Sequence, residues 1–388
     1  MSDLSKIDNR LLNDIQKRID SNSLRTLKTG NSLIDFCSND YLGFAQDEEL
    51  KEQIISEIKK LRRIGSTGSR LLTGNHSLTE KLEKNIALFH DAESALFFNS
   101  GYEANSGLIS TITKRNNTIL YDELSHASLR EGIRLSNAES FSFKHNDLSD
   151  LENKLQKISE EKFIIIESAY SMDGDICPLK EIVELAEKYS ANIILDEAHA
   201  TGVIGKNGEG LAHKLNLHKR IFARVHTFGK AIGNNGAVIL GSEILKNYLI
   251  NFCRPFIYTT APNLMQVIAV DLAYKKLENS EQHISRLHVL CDYFKNTISK
   301  YKHVRLLPSD SAIFSIIIPG NEEVKLAATY CQNAGYDVRP ILSPTVASGS
   351  ERLRVCMHTF NSENEIKRLC KLIESITEFI ERDKANVL

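Results

Sequence analysis

Two stretches of this chain place reactive side chains where a backbone can hold them. In "NIILDEAHATG" (residues 192–202) an apolar run ends on Asp196, and His199 follows three residues later. In "HTFGKAIGNNG" (residues 226–236) Lys230 sits in a glycine-bracketed turn, where backbone can approach a ligand closely. The letters DEAH admit two chemistries. One is nucleotide hydrolysis by a nucleic-acid motor. The other is amine–carbonyl chemistry around a pyridine ring, with a carboxylate facing the ring nitrogen.

The motor reading fails for want of a partner motif. An ATPase using DEAH needs an upstream phosphate loop of the form G-x-x-x-x-G-K-[ST]. The Gly-Lys pairs are Gly205-Lys206 and Gly229-Lys230; both follow the DEAH, and neither precedes Ser or Thr. Charge points the same way. The 48 basic and 50 acidic residues give a net charge of −2, without the basic excess that duplex binding favours. No nucleic-acid partner is expected.

Pyridine chemistry makes demands that the sequence meets. Pyridoxal phosphate needs a lysine amine to hold it as an imine and a carboxylate to keep its ring nitrogen protonated. Its phosphate needs N–H and hydroxyl donors, best placed at a helix N-terminus. Lys230 and Asp196 supply the first two, and His199 lies near enough in sequence to reach the ring hydroxyl. Ser100-Gly101-Tyr102 opens a helical pattern and offers a phosphate cradle. Asp196 also suits a plain helix cap.

The elements that must position these groups follow from periodicity. "SALFF" (94–98), "TILYD" (118–122), "KFIIIES" (162–168) and "NIILDEA" (192–198) are short apolar runs, most of them apolar at nearly every position. They alternate with helical patterns at 78–90, 101–113 and 178–190, which predicts an α/β layer structure around a covered parallel sheet. Ligands in such sheets gather beyond the carboxyl ends of strands, and each of these ends carries small, hydroxyl or titratable residues. A polar amphipathic helix is expected at 4–20 and a long helix at 263–278. The tail reads as strands 312–319 and 352–358 with helices 322–334 and 362–382. A chain of 388 residues exceeds one core, so we expect an N-terminal arm (1–45), a large cofactor-binding domain (46–278) and a small α+β domain (279–388).

Composition excludes other classes. The seven cysteines are widely spaced with no C-x-x-C, so neither a disulfide framework nor a metal site is expected. The first twenty residues lack an apolar h-region and no stretch reaches transmembrane length, which predicts a cytoplasmic protein without a membrane partner.

These residues carry a resemblance. "FCSNDYLGFA", "GSTGSRLLTGNH", "FFNSGYEAN", "DELSHASLREG", "SAYSMDGDICPL", "ILDEAHATGVIGKNGEG", "HTFGKAIGNNGAVILGS" and "RLRVCMHTF" occur in this order over residues 20–380. The ordered set resembles the α-oxoamine synthase family of pyridoxal-phosphate enzymes. Fold type I, aspartate-aminotransferase-like, is thereby implied, with a mostly parallel seven-stranded sheet in the large domain. An aminotransferase on that fold would share Lys230 and Asp196 but not His126 with "SNDYLG". "SPTVASGSERLR" (343–354) is similar to the branch that joins L-alanine to a pimeloyl thioester, on coenzyme A or acyl carrier protein. Glycine acetyltransferase, the runner-up, usually carries a Tyr-Pro pair where this chain has Pro-Thr-Val.

Carried over residue by residue, the resemblance implies that Lys230 bonds the cofactor and moves the α-proton. Asp196 pairs with the ring nitrogen, His199 contacts the ring oxygen, and His126 stacks on the ring. Gly101 and Tyr102 lie beside the cofactor, Ser171 and Thr227 contact it, and Thr260 reaches the phosphate from the partner of a homodimer. Asn39 and Arg354 are implied for the amino-acid carboxylate, Arg25 and Thr345 for the acyl substrate. Arg25 and Arg354 also suit surface charge or ion pairs, and His145 with the remaining histidines a structural place. The family often has Glu-Gly at Glu167-Ser168 and Gly-Gly at Asn235-Gly236. Three extra residues before Pro-Thr-Val leave Arg339 without an assigned role.

Overall fold

The structure, a computed structural model, describes residues 5–27, 29 and 32–387. At its centre is a seven-stranded sheet in the order 94–98, 237–241, 223–227, 191–196, 161–167, 117–122, 139–143. All neighbours run parallel except where strand 237–241 pairs with 94–98 and 223–227. The sheet is thus mostly parallel and seven-stranded, as the family resemblance implied.

Successive side chains of a strand point to opposite faces, and the core divides accordingly. Phe97, Leu120, Ile164, Ile166, Ile193 and Leu195 pack into one apolar cluster. Leu96, Phe98, Ile119, Phe163, Ile165 and Ile194 pack into the other. Burying each such Ile, Leu or Phe contributes about 1.5–3 kcal/mol, so both faces clamp the strands whose ends carry reactive groups. Strand Glu139–Phe143 lies at the sheet edge and is largely exposed, and its mixed sequence ESFSF gave no apolar run to read.

A second sheet of three antiparallel strands joins 339–341, 352–356 and 313–317. Ile34–Asp35 pairs in parallel with Tyr336–Asp337 as a separate two-stranded sheet, and the next residue, Phe36, accepts the Cys356 N–H at 2.8 Å, which links this early segment to strand 352–356. Arg352 forms an ion pair with Asp173, and Arg354 Nε donates to the Ser171 carbonyl at 2.7 Å. These contacts dock the small sheet against the loop after strand 161–167.

Helix Glu281–Ile298 was not expected from the sequence, yet it buries Ile284, Leu287, Leu290, Cys291, Phe294 and Ile298 at helical spacing. Helix Lys6–Asp20 buries none of its residues. All seven cysteines are free. Among the described residues no helix is long and apolar enough to cross a membrane, and no cluster of metal-ligating side chains occurs.

Candidate active site

Beyond the carboxyl ends of the parallel strands lies a cavity of about 240 Å³, far more room than one or two waters need. Asn39, Gly101, Tyr102, His126, Asp196, His199, Thr227 and Lys230 line it. These eight were singled out from sequence, and the fold brings them together from five separate stretches of chain. Of the DEAH letters, Asp196, Ala198 and His199 face the cavity. Glu197 turns away and accepts the backbone N–H groups of Leu211 and Ala212 at 3.0 and 2.9 Å.

Asp196 ends strand Ala191–Asp196 and is buried. Its Oδ2 accepts Asn105 Nδ2 at 2.7 Å, and its Oδ1 accepts the Ala198 N–H at 2.9 Å. The carboxylate therefore caps the following turn and lines the cavity as well. Glu167 stands opposite it on the neighbouring strand. Burial first, and the Asp196 charge second, push the Glu167 carboxyl well above the usual carboxylate range. Its Oε1 accepts the His126 backbone N–H at 2.6 Å.

Lys230 follows strand Ala223–Thr227. Burial lowers its amine from the ordinary lysine value, Arg354 acts in the same direction, and Asp196 and Glu167 oppose. A lysine that sheds its proton more easily offers more free amine at neutral pH to act as nucleophile or base. His199 is buried, and desolvation with Lys230 and Arg354 nearby holds its pKa well below the ordinary histidine value. Tyr41 Oη lies 2.7 Å from its Nδ1. His126 opens helix Ala127–Leu135 as its N-cap. Much of the residue meets the open cleft, yet its ring is packed enough for desolvation to lower its pKa, with Lys230 assisting and Asp196 opposing.

The cavity also has a cradle. A Cβ on Gly101 would meet Thr227 Cγ2 at 2.5 Å, so only glycine lets helix Gly101–Ile112 start so close to that strand. Gly236, at φ +105°, lies where a Cβ would come within 2.9 Å of Phe97 Cζ. Thr227 Oγ1 is buried and has no hydrogen-bond partner among the described residues. A native hydroxyl left this way calls for a ligand. An amine, a carboxylate, two imidazoles, a helix N-terminus and an orphaned hydroxyl are the donor set that pyridoxal phosphate requires, and the residues fit it.

Other expected residues lie outside the lining. Ser100 Oγ is engaged as helix N-cap, accepting the Glu103 N–H at 3.1 Å. Ser171 meets Arg354 through its carbonyl alone. Arg354 is buried and also donates from Nη2 to Asn39 Oδ1 at 2.9 Å, so it reaches the cavity through Asn39. Thr260 is exposed; it lines a separate small pocket with Arg70 and Asn99. Arg25 and Thr345, both exposed, meet each other: Arg25 Nη2 donates to Thr345 Oγ1 at 3.3 Å. The motif GSTGSRLLTGNH (65–76) forms a π-helical turn at Arg70–Gly74 that does not line this cavity.

Four contributors escaped the sequence reading: Tyr41, Asn105, Ser128 and Glu167. Asn105 stands one helical turn after Gly101, and Glu167 ends a strand as Asp196 does, so spacing carried a signal for both.

The family described as aminotransferase class I and II matches residues 31–373. The chain belongs to that family and, within it, to the α-oxoamine synthases. An 8-amino-7-oxononanoate synthase of Emericella nidulans is 38% identical over 384 residues, 92% of each chain. The solved 8-amino-7-oxononanoate synthase of Francisella tularensis shares 30% identity at a TM-score of 0.79, covering 90% of this chain and 99% of that one. A serine palmitoyltransferase from S. paucimobilis, solved with bound PLP, shares 26% identity at a TM-score of 0.89, covering 98% and 99%. One backbone thus serves different substrates, and sequence rather than overall shape separates them.

Proposed function

We propose that this enzyme joins L-alanine to a pimeloyl thioester, releasing carbon dioxide and the free thiol and giving 8-amino-7-oxononanoate, a step of biotin biosynthesis. The observation that carries the reading is the convergence of Lys230, Asp196, His199 and His126 on one cavity, in a chain whose relatives bear that name along nine-tenths of their length. Lys230 would hold pyridoxal phosphate covalently, with Asp196 at the ring nitrogen, His199 at the ring oxygen and His126 over the ring face. Gly101, Tyr102, Ser100, Ser171 and Thr227 would surround the remainder. When bound, the cofactor supplies a protonated ring that accepts the electron pair released as bonds to the alanine α-carbon break.

The chain's own groups do the rest. Lys230 Nζ, its basicity tuned by burial, takes the α-proton of alanine and later returns a proton to the same carbon. Between these steps the α-carbon bonds to the thioester carbonyl, the C–S bond breaks with loss of thiolate, and the carboxylate leaves as carbon dioxide. Asn39, held by Arg354, orients the alanine carboxylate from the cavity wall. Arg25 and Thr345 meet the acyl chain as a pair.

The finer assignments belong to the same proposal. The enzyme acts as a homodimer in which Thr260 serves the partner's phosphate site, and the pimeloyl group arrives on coenzyme A or acyl carrier protein. Seven free thiols suit the reducing cytoplasm. Its units are the arm 1–45, the large domain 46–278 and the small domain 279–388. The test is direct. Purified enzyme is titrated with L-alanine, glycine and L-serine by visible absorbance, then given pimeloyl thioester, with products read by mass spectrometry. Alanine saturating at the lowest concentration, with 8-amino-7-oxononanoate formed, is expected. Turnover of glycine with acetyl-CoA, and none with alanine, would overturn the substrate assignment.

A further inference from the structure

Two residues in the cavity wall have no place in the chemistry above. Asn105 and Ser128 are both buried, and both line the site. Asn105 Nδ2 lies 2.7 Å from Asp196 Oδ2 and 3.0 Å from Ser128 Oγ. Ser128 Oγ in turn lies 2.8 Å from His126 Nδ1. An unbroken chain of hydrogen bonds therefore runs from the carboxylate assigned to the cofactor ring to the imidazole assigned to its face.

The direction of every bond in this chain follows from chemistry. An ionised carboxylate only accepts, so the Asn105 atom facing Asp196 must be the amide nitrogen. Turning the amide round would set its oxygen against the carboxylate. The present orientation keeps the donor aimed at Asp196 and leaves Asn105 Oδ1, like Thr227 Oγ1, without a hydrogen-bond partner among the described residues of the cavity wall. The amide nitrogen has two hydrogens and two acceptors within reach, so the second goes to Ser128 Oγ. The hydroxyl hydrogen of Ser128 is then free for His126 Nδ1. The backbone N–H of Ser128 points at the same nitrogen from 3.2 Å. Two donors converge on Nδ1.

We infer that Asn105 and Ser128 are positioning residues that lock His126 in the Nε2–H tautomer and tie that choice to the ionised state of Asp196. His126 so held presents the cleft with a hydrogen-bond donor and cannot act there as a proton acceptor. That leaves Lys230 as the group that removes the α-proton. The inference deepens the proposed function and rests on it only for the reaction served; the tautomer is a property of these residues whatever the substrate.

The experiment is long-range ¹H–¹⁵N NMR of the holoenzyme labelled at its twelve histidines, with His126→Asn identifying the ring by subtraction. In the wild type at neutral pH, Nδ1 is expected to be unprotonated and Nε2 protonated. A protonated Nδ1, whether as the other tautomer or as imidazolium, overturns the inference, and no variant is needed to see it. Ser128→Ala and Asn105→Leu should each turn the His126 signals into a mixture of tautomers. Each should lower kcat about tenfold while KM for the amino acid holds. An unchanged His126 spectrum in both variants would also overturn the lock. A wild-type enzyme that shows the Nε2–H tautomer yet does not turn over L-alanine with pimeloyl thioester would count against the substrate assignment instead, so the two failures are told apart.

Discussion

Adjacent strand ends in this molecule treat their acidic residues in opposite ways. At the end of strand Asn117–Asp122, Asp122 is fully paired. His145 places Nδ1 2.9 Å from Asp122 Oδ1 and Nε2 2.6 Å from Asp175 Oδ2. Asn146 adds its backbone N–H to Asp122 at 3.0 Å and its amide to Asp175 at 2.8 Å. Against the pull of burial, the bonds to Asp122 and Asp175 raise His145 to about 10. One and two strands away, Glu167 and Asp196 face a cavity whose lysine and histidines burial shifts toward their neutral forms. A group meant to stay charged is surrounded by partners. The group proposed to move protons, Lys230, is instead kept dry.

Breaking the cavity cluster should have the larger consequence. Lys230→Ala removes the proposed covalent anchor and proton carrier together, and turnover should fall by about 10⁴-fold or more. Borohydride reduction followed by intact-mass measurement should then find no cofactor joined to the chain, whereas the wild type gains it at one lysine. Near wild-type rates in the variant would sink the assignment. Asp196→Asn keeps shape and one acceptor but removes the charge proposed to face the ring nitrogen. A loss of about 10²- to 10³-fold in kcat is expected, with the protein folded and the cofactor still present by absorbance.

The His145 cluster should answer to pH rather than to substrate. Its folded-state pKa of about 10 lies above the unfolded value of about 6.5, so its stabilisation is complete below about pH 6.5 and drains away as pH rises through 10. His145→Gln should destabilise the protein by about 1.5–3 kcal/mol near pH 7. Denaturant melts should find that gap closing toward pH 10, with kcat at neutral pH changed far less than by either cavity substitution. A gap that persists unchanged at pH 10 would mean the ring acts by packing against Tyr170, which it meets edge-on at 4.5 Å.

How much of this was legible in sequence depends on how each residue is buried. Asp196, Thr227 and Gly101 sit next to apolar runs that announce strands, so the strand ends could be read and the cavity assembled from them. Strand Ala237–Gly241 hid inside a glycine-rich motif, and its antiparallel direction is a tertiary fact that no local pattern carries. Helix Glu281–Ile298 hid behind charged and polar residues on its exposed side. Asn105 and Ser128 were missed because a polar residue on a helix reads as surface until a neighbouring element covers it. The Arg25–Thr345 contact spans 320 positions, which no spacing rule reaches.

That contact gives the smallest expected effect and the sharpest boundary for the cavity. Arg25 and Thr345 lie outside its lining and are exposed, so both stand apart from the groups proposed to hold the cofactor. A single hydrogen bond of 3.3 Å in water contributes little to folding, so Arg25→Ala should leave the melting curve where it was. If the pair meets the acyl chain, its loss costs one polar contact in the bound complex, about 0.5–1.5 kcal/mol, or a KM for pimeloyl thioester about 2- to 12-fold higher. The alanine absorbance titration and kcat at saturation should not move, because the interaction is uniform between ground and transition states. Thr345→Val should reproduce the effect, and the double variant should add little to either single change, since both remove the same bond. An unchanged KM in all three would confine substrate recognition to the cavity and return Arg25 to the solvated surface.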